Sequence, residues 1–165
     1  PVLMADPDRD SILLAKAENI PAVQGSIVSK QVKEQVNKLT IGRLISLAPS
    51  DDANLLAVRE YANIFDRRSV YYLCPRDKNL ISKNNPISRV LFGTGNTYSY
   101  ISTKFTAGSK IQSFKLTEKF SYKDFKKKYP RAVNLFSITH KGHLLIHAQD
   151  KNIIPHIGQT LISLI

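Results

Sequence analysis

The residues able to do chemistry are few and fall into small groups. Ser50, Asp51 and Asp52 follow an apolar run. Paired carboxylates can serve as general acid and base, but nothing nearby supplies their partner. A serine followed by two acids is also a helix start, in which the hydroxyl caps a backbone N–H and each acid complements the helix dipole by roughly 0.3–1 kcal/mol. Capping is the simpler account of this trio. Asp6 sits in the turn Ala5-Asp6-Pro7-Asp8-Arg9-Asp10. An acid there can accept hydrogen bonds from ribose hydroxyls if the strand before it belongs to a dinucleotide-binding sheet, or it can cap the next helix. His140, His143 and His147 raise the question of zinc, yet no Cys, Asp or Glu stands beside them, and no metal site is expected. Alternation along the strand puts His143 and His147 on one face, with Leu144 and Ile146 towards the core. Cys74 lacks a neighbouring base and reads as a small buried residue. No catalytic residue is assigned, and the chain is not expected to be an enzyme.

The elements that must position these residues are legible from periodicity. Arg43 to Ala48 and Ser69 to Cys74 are apolar runs of strand length, and between them Leu55, Val58, Ala62 and Phe65 recur at helical spacing. Strand, helix and strand in about 30 residues make a right-handed βαβ unit with parallel strands, whose ligands gather at the carboxyl ends. Upstream, Val2 to Ala5 reads as a strand. Asp8 or Asp10 caps a helix with Leu13, Ala17 and Ile20 inward, and Ala22 to Ile27 forms the next strand. Ser29 caps a helix with Val32, Val36 and Leu39 inward. The strand ends share a punctuation: Asp6-Pro7, Gly25-Ser26, Ala48-Pro49 and Cys74-Pro75. Parallel strands should bring these four turns to one edge.

After residue 74 the pattern changes. Residues 75–88 are polar and read as a linker. Residues 89–165 read as a small α+β domain: a strand Arg89 to Phe92, the turn Gly93-Thr94-Gly95, a helix Tyr98 to Ala107, and an alternating strand Lys110 to Leu116. A short helix capped by Ser121, a hairpin about Lys141-Gly142 and a strand Thr160 to Ile165 complete it. The expected class is therefore α/β: an incomplete Rossmann-like parallel sheet over 1–74, a linker, and the α+β domain.

Charge separates the same two parts. Residues 1–74 hold nine of the 24 Lys and Arg and nine of the 13 Asp and Glu, so the whole excess of +11 lies in residues 75–165. Lys115, Lys119, Lys123, Lys126, Lys127, Lys128 and Arg131 form the densest basic run. Such a run suits an anionic partner, either nucleic acid or an anionic membrane surface. Phe and Tyr at 122, 125 and 129 have helical spacing and are expected to face inward. No apolar run approaches the ~20 residues that span a bilayer. One cysteine excludes an intrachain disulfide framework and fits a reducing compartment. The opening residues already read as mid-strand, so the chain is expected to be part of something longer.

The segments LMADPDRD, PAVQGSIVSKQV, GRLISLAPSDDANLLAVREYA and GQTLISLI together resemble the cytoplasmic regulatory portion of bacterial cation/proton antiporters, which carry a TrkA-N-type (RCK or KTN) domain behind the membrane part. The likeness is best over the first half. It implies that Asp6, Gly25, Ser26, Ala48, Pro49, Ser50 and Asn54 line a cleft for NAD or another adenine nucleotide, with Asp6 at the ribose. The sequence departs from the family pattern at Ser26, Ala48 and Ser50, where an acid, Thr and Asn are common. It also lacks the glycine-rich loop that would cradle the phosphates. The resemblance further implies the membrane domain of an antiporter as partner, a homodimer, and a place at the cytoplasmic face of the inner membrane.

Two rival readings stand beside it. One is a nucleic-acid-binding protein using the basic half. The other is a degenerate NAD-dependent oxidoreductase, for which Tyr100-x-x-x-Lys104 has a suitable catalytic spacing. It falls beyond the sheet, in the second domain.

Overall fold

A computed structural model describes residues 1–81 and 88–165. The middle of the expected linker, residues 82–87, lies outside the described residues. The first half alternates strand and helix: β1 (Met4–Asp6), α1 (Arg9–Ala17), β2 (Ala22–Gln24), α2 (Lys30–Lys38), β3 (Leu44–Ser46), α3 (Asp51–Tyr61) and β4 (Val70–Leu73). The second half contains β5 (Arg89–Leu91), α4 (Tyr98–Thr106), β6 (Ile111–Lys115), α5 (Tyr122–Lys128), β7 (Val133–Ile138), β8 (Leu144–Ile146) and β9 (Thr160–Leu164). The α/β class is observed, with parallel strands followed by an antiparallel α+β half.

The parallel strands fall into two sheets. β1 pairs with β2, and β3, β4 and β5 form a second sheet in that order. Each helix starts where a side chain caps it: Asp8 accepts from the Ser11 N–H, Ser29 from Val32, and Ser50 from Ala53. α2 and α3 bury Val32, Val36, Ala57, Val58 and Tyr61 against Leu44, Val70, Tyr72, Cys74 and Val90. Tyr61 is fully buried, and its hydroxyl donates to the Ile27 carbonyl at 2.8 Å, tying α3 to the segment after β2.

The inward face of α1 differs from the expectation. Ile12 and Ala15 are buried, while Leu13 is 53% exposed and Ala17 and Ile20 also lie at the surface. Four of the helix's nine residues, Ile12 to Ala15, are consecutive and apolar, so periodicity cannot choose a face. Packing on β1 and β2 chooses it.

β5 joins the two halves. It pairs in parallel with β4, and its far side continues into residues 147–149 through Phe92 N–H to the His147 carbonyl (2.9 Å) and Gln149 N–H to the Val90 carbonyl (2.8 Å). Tyr71 and Leu73 of β4 share a cluster with Leu91, Ile146 and Ala148. The antiparallel sheet runs β6-β9-β7-β8. Beneath it Phe125, which is 1% exposed, packs at 4.9 Å from Phe114 and 5.4 Å from Tyr129. The aromatics of α5 do turn inward.

Candidate functional site

The turns at the strand ends come together in two pairs. At the end of β1, the Asp6 carboxylate accepts from the Asp8 N–H at 2.8 Å, which fixes the turn into α1. Beside it, Gly25 N–H donates to the Asp6 carbonyl at 2.9 Å, and the Gln24 amide donates to the Pro7 carbonyl at 3.2 Å. Asp6, Gly25 and Ser26 are therefore neighbours across one sheet edge. Gly25 has φ +151, a conformation that side chains rarely adopt, although an added Cβ would meet nothing closer than Ser29 Oγ at 3.5 Å. The strain would come from the backbone alone. Gly25→Ala is expected to cost about 1–3 kcal/mol in a urea melt.

At the end of β3 the arrangement is tighter. Asn54 is 2% exposed. Its Oδ1 accepts from Ser46 Oγ (2.8 Å) and from the Ala48 N–H (2.9 Å), and its Nδ2 donates to the Ala48 carbonyl (2.9 Å). One side chain thus staples the strand end to the first turn of α3. Ser50 caps that helix, and Asp51 accepts from the Arg76 N–H at 2.9 Å beyond β4. Ala48, Pro49, Ser50 and Asn54 share this corner, Ala48 half-buried and Pro49 and Ser50 exposed. Among the described residues no hydrogen bond joins this corner to the Asp6–Ser26 pair.

The roles of two features are not legible in the sequence. Gly93-Thr94-Gly95, read as a turn, follows the carboxyl end of β5 on the same edge as the ends of β3 and β4 and leads into α4, capped by Thr97. Just before it, Phe92 holds φ 61, uncommon for a bulky residue. Asn54 is the second: a buried amide within a helix start carries no periodic signal, and only the fold reveals that its three bonds are internal.

The histidines separate. His147 is buried at 8% exposure, with Nε2 at 2.7 Å from Ser137 Oγ, whereas Leu144 is 44% exposed. The expected outward His147 and inward Leu144 are both corrected. The cause is the pairing of residues 147–149 with β5, which covers that stretch. Burial holds the His147 pKa down to about 4. The contact has the length of a nucleophile–base pair, but Ser137 is fully buried and a substrate could not reach it. Among the described residues no group of three metal-ligating side chains occurs. Cys74 is buried in the core. Lys104 lies over the Tyr100 ring, its Nζ 5.7 Å from the centroid, on a helix without a fully buried residue.

Three lysines of the basic run line one side of an open hollow of about 840 Å³, formed by Ser121, Tyr122, Lys123, Lys126 and Lys127 of the α5 region and by residues 154–157. Asp124 is engaged in the capping box with Ser121, whose hydrogen bonds hold its carboxyl below the usual range. Among the described residues no helix is long and apolar enough to cross a membrane. No protein-family model matches the chain, and no curated protein matches it.

Proposed function

We propose that the chain is a nucleotide-responsive regulatory module of a monovalent cation/proton antiporter, working at the cytoplasmic face of the membrane on an attached membrane domain. The observation that carries this reading is the meeting of Asp6, Gly25 and Ser26 at the carboxyl edge of a parallel strand pair, the edge at which α/β sheets hold ligands. The resemblance of the turn sequences to the antiporter regulatory family supplies the setting. Asp6 would accept from the ribose hydroxyls of NAD or another adenine nucleotide, and the small, exposed Ser26 would leave room beside it. Regulation follows if the nucleotide binds one arrangement of the two sheets better than another, because only differential affinity shifts a conformational equilibrium.

Titration calorimetry with NAD and with ATP tests the reading. Saturable binding of one of them is expected. Asp6→Asn keeps an acceptor for the Asp8 N–H while removing the charge, and Ser26→Trp fills the space next to it. Each should weaken binding by roughly tenfold, about 1.4 kcal/mol, at unchanged thermal stability. Binding of neither nucleotide would sink the reading.

A further inference from the structure

The loop opposite α5 is built unusually for a solvent-facing turn. Ile154 and Ile157 are 52% and 60% exposed, while Pro155 between them is buried. The loop is fixed to the end of β6 rather than loose. Gly158 N–H donates to the Leu116 carbonyl (2.9 Å), Leu116 N–H to the Gln159 carbonyl (2.9 Å), and Lys115 Nζ to the Gly158 carbonyl (2.7 Å). Two branched aliphatic side chains are thus held out in water by backbone that cannot fold them away.

Lysines stand on both sides of them. Lys123, Lys126 and Lys127 line the 840 Å³ hollow that Ile154 and Ile157 also line. Lys115 and Lys119 line a second open hollow of about 490 Å³ that meets the first at Ile157. Glu118 is the acid on that side and Asp124 the acid within α5. Among the described residues none of these lysines is in an ion pair.

We propose that this surface docks on an anionic lipid bilayer, with Ile154 and Ile157 entering the headgroup–acyl boundary and the five lysines facing lipid phosphates and carboxylates. Exposed aliphatic residues ringed by lysine match the interface of such a membrane, which attracts cations and accepts apolar side chains. Nucleic acid fits less well. The lysines would serve its phosphates equally, but its bases find no exposed aromatic face to stack on, because Phe120, Tyr122, Phe125 and Tyr129 are all partly or fully buried, and it offers Ile154 and Ile157 no apolar interior to enter. The inference goes beyond the nucleotide response and does not depend on it.

Vesicle co-sedimentation of the whole chain tests it, using phosphatidylcholine vesicles with and without phosphatidylserine. The protein should bind the anionic vesicles, and added salt should weaken binding. Lys123→Gln/Lys126→Gln/Lys127→Gln should weaken it by on the order of a hundredfold, at roughly fivefold per lysine. Ile154→Ser/Ile157→Ser should weaken it by roughly tenfold while leaving the charge intact. All five positions are exposed, and circular dichroism melts should match the unsubstituted chain. Failure to bind the anionic vesicles, or full binding by the isoleucine variant, would overturn the proposal. Preference for a duplex oligonucleotide over the vesicles would overturn it in favour of nucleic acid. Nucleotide titration is blind to each of these results, so the two readings fail separately.

Discussion

Asn54→Leu should lower stability by about 3–5 kcal/mol, because leucine has a similar volume but none of the three hydrogen bonds that close the end of β3. Ser46 Oγ and both backbone groups of Ala48 would lose their partner. Ser46 is itself buried, so water reaches its hydroxyl poorly. With a urea slope of about 2 kcal/mol per molar, the midpoint should fall by roughly 2 M. The same experiment defines what Asn54 does. If it were mainly a ligand contact, its loss would weaken nucleotide binding and leave the midpoint in place. The geometry assigns it to the scaffold: both functional groups of the amide are already used.

Acid should destabilise the protein in a window set by His147. The ring's pKa is about 4 when folded, against 6.5 ordinarily. Above pH 6.5 it is neutral in both states and contributes no pH dependence. As the pH falls from 6.5 towards 4, the unfolded chain takes up a proton that the folded chain refuses, and stability drops. After discounting for partial solvent access, the loss is on the order of 2 kcal/mol. His147→Gln removes the titration and retains a polar group towards Ser137, so its melting temperature should stay level over this window while that of the unsubstituted chain falls. Asp8 and Asp124 act at lower pH. Their carboxyls lie below 3.8 when folded through hydrogen bonds from Ser11 and Ser121, and the stability they add is lost only as the pH drops through that lower range. An unsubstituted chain whose stability is constant between pH 6.5 and 4 would show that His147 is solvated.

Much of the architecture was readable because local signals agreed with each other. The Ser29, Ser50 and Ser121 caps lie where side-chain chemistry puts them, and the strand–helix–strand unit runs through β3, α3 and β4 as its spacing implies. Gly108 and Gly142, with φ of +90 and +79, end α4 and turn the β7–β8 hairpin as expected. What stayed hidden depends on contacts between distant segments. The buried face of α1 is decided by β1 and β2. The burial of His147 is decided by β5, more than 50 residues away along the chain. The candidate nucleotide residues were legible as turn chemistry, but the division of their turns into two corners was not. Parallel strands share an edge only within one sheet, and β1-β2 and β3-β4-β5 are separate sheets.

The order β6-β9-β7-β8 has a consequence in time. Among the described residues β6 is hydrogen-bonded to no strand but β9, and Ile111 lies opposite Leu164. During synthesis β7 and β8 emerge before β9, so the edge of β6 that faces β9 has no partner until the last strand is made. Closing so long a loop is slow, and an unpaired strand that waits is open to the wrong neighbour. β9 is therefore the strand that completes the antiparallel sheet.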